Sequence, residues 1–148
     1  GLTRALAYVI QDALNPELFN KTYPAPSLDK AIHQDIQAEL PAWNQLMSTA
    51  KQRSAQMDAN SLLYLVRASQ LWRAGMGDNW QQKLKSVKAK TLWLPATGDL
   101  LLTPAMAKQS KDQMPGAGYE EIGGQAGHLD GLLNIQSKAE QIRSFLAD

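Results

Sequence analysis

The 148-residue sequence predicts an α/β fold in two parts: an all-helical layer over residues 1–80 and a strand–helix–strand–helix segment over residues 81–148. Three observations lead there. Apolar residues recur every three or four positions through the first part, with no convincing period-two alternation. In the second part, a short apolar run and a second, weaker strand pattern each precede a helical pattern, the arrangement that builds a parallel sheet with right-handed crossovers. Two strands are too few for a parallel sheet covered on both faces, so further strands are expected from polypeptide preceding Gly1.

In the helical part, Leu2, Ala5, Leu6, Val9, Ile10, Ala13 and Leu14 predict one buried helical face, closed by Asn15-Pro16. The turn-like Tyr23-Pro24-Ala25-Pro26-Ser27 follows. Ser27 or Asp29 is expected to cap a run through Ile32, Ile36 and Leu40, and Pro41 interrupts that run or starts the next helix. His33 falls among Gln and Asp residues and is expected in solvent. A third run has Asp58 as its N-cap and Leu62, Leu65, Val66, Ser69 and Trp72 as its apolar stripe, ending near Gly75-Met76-Gly77-Asp78. Trp43, Trp72 and Trp80 read as packing residues, with an aromatic wall over a site as the alternative.

Lys83, Lys85, Lys88 and Lys90 read as a solvated face at a helix end. Thr91-Leu92-Trp93-Leu94-Pro95-Ala96 then reads as a buried strand. Thr103-Pro104 supplies an N-cap and a first-turn proline, and Met106, Ala107, Ser110 and Met114 the buried side of the helix that ends at Pro115-Gly116. Gly118-Tyr119-Glu120-Glu121-Ile122 is a second strand, and Gly123-Gly124-Gln125-Ala126-Gly127-His128 a glycine-rich loop. Leu132, Ile135, Ala139, Ile142 and Leu146 step by three, four, three and four, predicting one continuous final helix.

Composition removes several function classes. Hydrophobic residues make up 44% and charged residues 20%, the balance of a globular chain. Fifteen Lys plus Arg against fourteen Asp plus Glu give no support to nucleic-acid binding. The longest apolar stretches fall far short of the roughly 20 residues of a membrane span. No cysteine is present, which excludes disulfides, thiolate metal sites and a cysteine nucleophile, and no metal site is expected. The compartment stays open between cytosol and periplasm. The chain opens without Met inside a helical pattern, which suggests a cut chain with any targeting signal upstream.

In open α/β sheets, reactive groups gather beyond the carboxyl ends of the strands. Asp99, in Thr97-Gly98-Asp99-Leu100-Leu101, lies just past the first strand, and His128, in Gly127-His128-Leu129-Asp130, past the second. An acid followed by a histidine on such loops is the back half of a Ser…Asp…His order, in which the carboxylate orients the imidazole and the imidazole shuttles a proton. Asp130 reads either as a first-turn acid of the last helix or as a polar substrate contact. No Gly-x-Ser-x-Gly occurs, so the nucleophile is expected on the same missing segment as the missing strands.

Asp58-Ala59-Asn60-Ser61-Leu62-Leu63-Tyr64-Leu65-Val66-Arg67-Ala68, Thr97-Gly98-Asp99-Leu100-Leu101, Tyr119-Glu120-Glu121-Ile122 and Gly127-His128 appear in that order. In this order they resemble the C-terminal half of the homoserine O-acetyltransferase family of α/β-hydrolases. The resemblance implies that residues 1–80 are the helical lid and residues 81–148 the last two strands with their helices. It also implies acyl transfer from an acyl-CoA through an acyl-serine, with Asp99 and His128 as the acid and base. The implied partners are an N-terminal segment carrying the nucleophilic serine, a small ester or acyl-CoA with an alcohol acceptor, and a second copy meeting this one through the lid. No nucleic acid or membrane is among them, and no cofactor is bound. Two departures stand out. Family transferases usually carry an aspartate immediately after the histidine, near the acceptor amine, where this chain has Leu129, and an aromatic-containing loop at the site mouth is usual where it has Leu100-Leu101-Leu102-Thr103-Pro104. An esterase using water is one alternative; a non-catalytic interaction module is the other. The chain break is expected from processing of a precursor within the lid, with clipping and separate synthesis as the other routes.

Overall fold

A computed structural model describes residues 1–26, 30–72, 77 and 79–147. The helical part comprises α1 (Leu2–Ala13), α2 (Pro16–Thr22), α3 (Lys30–Gln34), α4 (Pro41–Ser54), α5 (Ala59–Leu71) and α6 (Trp80–Lys85). The second part runs β1 (Leu92–Trp93), α7 (Pro104–Lys111), β2 (Gly118–Tyr119), a 3₁₀ turn at Gly127–Leu129, α8 (Asp130–Leu133), a 3₁₀ turn at Ile135–Lys138 and α9 (Ala139–Ala147). No helix among the described residues is long and apolar enough to cross a membrane.

The core of the helical part is the seam between α1 and α4. Leu6, Ala7 and Ile10 of α1 meet Leu46 and Ala50 of α4, with Tyr23 closing one end. Ala7 and Ala50 are both fully buried, and their small side chains let the helix backbones approach. The buried stripe is rotated from the one the spacing predicts: Ala7 takes a place in it, whereas Val9 faces out.

Three helical expectations need correction. Asn15-Pro16 ends α1, but it also starts α2, since the Asn15 side chain accepts from the Leu18 N–H at 2.8 Å and Pro16 occupies the first helical position. The run expected through Ile36 and Leu40 stops at Gln34. Asp35 Oδ1 accepts from the Gln37 N–H and the Asp35 carbonyl from the Ala38 N–H, forming a turn that leaves Ile36 and Leu40 exposed. The stripe on α5 is largely uncovered: Leu62 packs on the core, but Leu65, Val66 and Trp72 are exposed among the described residues. Asp58 does cap this helix, its carboxylate accepting from the Ser61 N–H. Ser27, Asp29, Gly75, Met76 and Asp78, named above as cap and stop residues, lie outside the described residues.

The two strands pair in parallel with Leu92 opposite Gly118 and Trp93 opposite Tyr119. The pairing continues past the regular strands. Ile122 N–H donates to Pro95 O, Thr97 N–H donates to Ile122 O, and Ala96 bridges Ile122. Pro95 has no N–H to donate, so the ladder skips a bond there and the regular strand shrinks below the predicted six residues. Lys83 and Lys85 fall in the last turn of α6, where cations suit the helix C-terminus. Thr103 caps α7 through the Met106 N–H. Met114 is buried just beyond that helix, whereas Met106 is exposed.

The final helix is not continuous. Asn134 sends its side-chain amide to Asp130 Oδ1, while its carbonyl accepts from the Ser137 hydroxyl and N–H. Asn and Ser side chains compete here with the helical ladder and split it into α8, a 3₁₀ turn and α9. Leu132 and Leu146, at the ends of the predicted stripe, are exposed.

Candidate active site

The loops leaving the paired strands bring two of the predicted residues together. Asp99 follows the Ala96 bridge, its N–H bonded to Ala96 O at 3.1 Å. Its Oδ1 accepts from the N–H groups of Leu101 and Leu102 at 2.8 and 2.9 Å, which fixes the carboxylate against its own loop. The free oxygen, Oδ2, lies 2.8 Å from Nδ1 of His128. A carboxylate only accepts, so Nδ1 carries the proton, and Nε2 of the neutral ring is left as the acceptor. The Asp99 side chain is 6% exposed and that of His128 37%, so the pair is buried at the acid and open at the imidazole.

Burial pushes the Asp99 carboxyl up. The Leu102 N–H, the His128 side chain and the Leu101 N–H outweigh it and hold the group below its ordinary value. The arrangement can therefore keep a carboxylate charged beneath an imidazole, fix the tautomer and stabilise the imidazolium when it forms.

Gly127 brings His128 to this position. Its φ of +65° is in the left-handed region, and a Cβ there would lie 2.7 Å from the Asn15 N and 3.3 Å from the Gly98 carbonyl oxygen. The α1–α2 junction, the acid loop and the histidine loop thus meet at one glycine. Beside them, Leu14, Pro16, Phe19, Leu100 and Leu101 line a cleft of about 360 Å³.

Asp130, the third predicted site residue, is completely buried and faces inward. Its Oδ2 accepts from the Ala126 N–H at 3.0 Å and its Oδ1 from the Asn134 amide. It also stands in the first turn of α8, the helical position read from the sequence. His33 is exposed, and so are Trp43 and Trp72. Sequence reasoning missed Asn134 and the capping role of Asn15; for Asn134 the spacing of four from Asp130 was the available signal. Among the described residues, no group of three or more His, Asp or Glu side chains could hold a metal ion.

No protein-family model and no curated protein matches the sequence. Solved structures do. Esterase E22 is 38% identical, with a TM-score of 0.89 over 98% of this chain and 41% of its own. The homoserine O-acetyltransferase from Bacillus anthracis is 22% identical, with a TM-score of 0.92 over 99% of this chain and 41% of its own. An acetylester hydrolase from Corynebacterium glutamicum is 18% identical, with a TM-score of 0.68 over 99% of this chain and 41% of its own. The chain spans about two-fifths of the length of these proteins. In architecture it corresponds to a part of the α/β-hydrolase fold that esterase E22 and this homoserine O-acetyltransferase share.

Proposed function

We propose that these residues supply the acid and the base of a serine-dependent acyl-transfer enzyme whose acyl acceptor is water. One observation carries the reading: the 2.8 Å bond between His128 Nδ1 and Asp99 Oδ2 on loops that follow adjacent parallel strands. Nε2 takes the proton of a serine hydroxyl as its oxygen attacks an ester carbonyl, then gives that proton to the departing alcohol. In the second half, Nε2 takes a proton from water, the resulting hydroxide equivalent attacks the acyl-serine, and the proton returns to the serine oxygen. Asp99 stays ionised throughout and balances the imidazolium.

The serine and its oxyanion hole belong, in this proposal, to polypeptide outside the 148 residues. The two-fifths coverage of the similar structures and the lack of Gly-x-Ser-x-Gly in the sequence support this. Residues 1–80 act as a lid, with the cleft beside Leu100 and Leu101, which Gln11, Asp12 and Asn20 also line, receiving part of the ester. The exposed side of α5, with Leu63, Tyr64 and Leu65, supports a second copy as partner through that layer.

The acceptor is inferred from two residues. Leu129 occupies the position after the histidine, and Asp130 has both oxygens committed inside the chain, so neither offers a carboxylate to an acceptor amine. The likeness to esterase E22 points the same way. The test is product analysis on the complete protein carrying these residues, given a short-chain nitrophenyl ester or an acetyl-CoA, with and without an amino alcohol. Hydrolysis of the ester at a rate indifferent to the amino alcohol is expected. Acylated amino alcohol as the main product makes it an acyl-CoA-dependent transferase, and no turnover of any acyl donor leaves a non-catalytic interaction module.

A further inference from the structure

The buried carboxylate of Asp130 takes no part in the chemistry just described, and its surroundings are specific. Asp130 is 0% exposed and begins α8, directly after the 3₁₀ turn that carries His128. Its Oδ2 reaches back over that turn to the Ala126 N–H at 3.0 Å, while the Leu129 N–H donates to the Ala126 carbonyl at 3.3 Å. Residues 126–130 are therefore closed into a ring with His128 at its centre. The other oxygen, Oδ1, is taken by the Asn134 amide, and the Asn134 N–H donates to the Asp130 carbonyl at 2.9 Å, tying the ring to the first turn of α8. Gly124 covers the carboxylate so closely that a Cβ built there would overlap Asp130 Oδ1 and Asn134 Nδ2.

A buried carboxylate with an unmet oxygen is costly, so each of its two donors is strongly held in place. The consequence falls on the imidazole. Its backbone is bracketed by Ala126 on one side and Asp130 on the other, and Gly127 between them is packed against Asn15 and Gly98. An imidazole that must meet Asp99 at one nitrogen and a hydroxyl at the other tolerates little rotation of this backbone.

We propose that Asp130, held by Asn134 and covered by Gly124, is a positioning residue for His128: it fixes the loop backbone so that Nδ1 stays on Asp99 and Nε2 stays aimed at the reacting hydroxyl. This inference rests on the reading of His128 as the base. It assigns Asp130 an intramolecular role in place of the substrate contact that was one of its two readings from the sequence.

The experiment compares Asp130→Asn, Asn134→Ala and His128→Ala in the complete protein, by steady-state ester hydrolysis and by the downfield proton resonance of the His128 Nδ1–H bonded to Asp99. Asp130→Asn places an amide N–H against one of the two donors and is expected to lower kcat at least 30-fold with KM within about twofold. The Nδ1–H resonance is expected to broaden or vanish. Asn134→Ala removes one donor and leaves the carboxylate, so a loss in kcat of about three- to tenfold is expected, and this milder variant decides the matter where Asp130→Asn does not fold. A purely structural role lowers the melting temperature but leaves kcat per folded molecule and the resonance unchanged, and that result overturns the proposal. Full activity of His128→Ala overturns the reading of the base and the positioning role together. Loss of activity in His128→Ala with kcat retained in the other two variants overturns the positioning role alone.

Discussion

Asp99 does two jobs with one carboxylate, and its titration should show both. Because its folded pKa is depressed by the Leu102 and Leu101 N–H groups and His128 against the opposing effect of burial, the unfolded chain takes up this proton first as pH falls. Its contribution to stability is then present above the ordinary aspartate value of about 3.9 and is lost as pH drops through the lower folded value. Denaturant melts across that acidic range should show stability rising with pH, and Asp99→Asn should flatten that part of the curve; an unchanged slope removes Asp99 from the account of acid stability. Gly127 is restricted both by its backbone angle and by its neighbours. Gly127→Ala places a β-carbon 2.7 Å from the Asn15 nitrogen at a left-handed φ, and should destabilise the fold by at least about 1–3 kcal/mol in a denaturant titration. A neutral result means that the α1–α2 junction does not bear on the histidine loop.

At the scale of elements, the helix caps and the turn after the first strand were readable because they depend on local chemistry. Thr103-Pro104, Asp58 and the turn after Ala96 each carry their hydrogen-bond partner within three residues. The Asp99 position was readable for the same reason, since it follows a short apolar run bounded by turn residues, and His128 was read from the glycine-rich loop that follows a second, weaker strand pattern. What periodicity concealed was competition. Asp35 and Asn134 bind nearby backbone or side-chain groups and cut helices whose apolar spacing ran on to Leu40 and Leu146. The inward turn of Asp130 depends on Asn134, four residues on, and on Gly124, which shares no face or spacing with the site until the loop has folded. The α1–α4 seam is the element contact on which the helical layer depends. Leu46, 3% exposed in its centre, should cost about 2–5 kcal/mol when changed to Ala. A loss under about 1 kcal/mol places the core elsewhere.

For the whole molecule, two surfaces stand open. Among the described residues the sheet has two strands, and α5 keeps Leu63, Tyr64, Leu65 and Trp72 in solvent. Apolar faces of this kind mark surfaces that bury against further polypeptide, and the similar structures are more than twice as long as this chain. The sequence announced the open sheet through its strand count, but not the bare face of α5, because an amphipathic stripe does not say what lies opposite. The central claim is that Asp99 and His128 activate a serine carried outside these residues. Its most direct measurement is the rate at which a fluorophosphonate labels the complete protein before and after His128→Ala. The account predicts one labelled serine in the unaltered protein and labelling slowed by roughly 10³-fold or more in the variant; equal rates, or no labelled serine at all, contradict it.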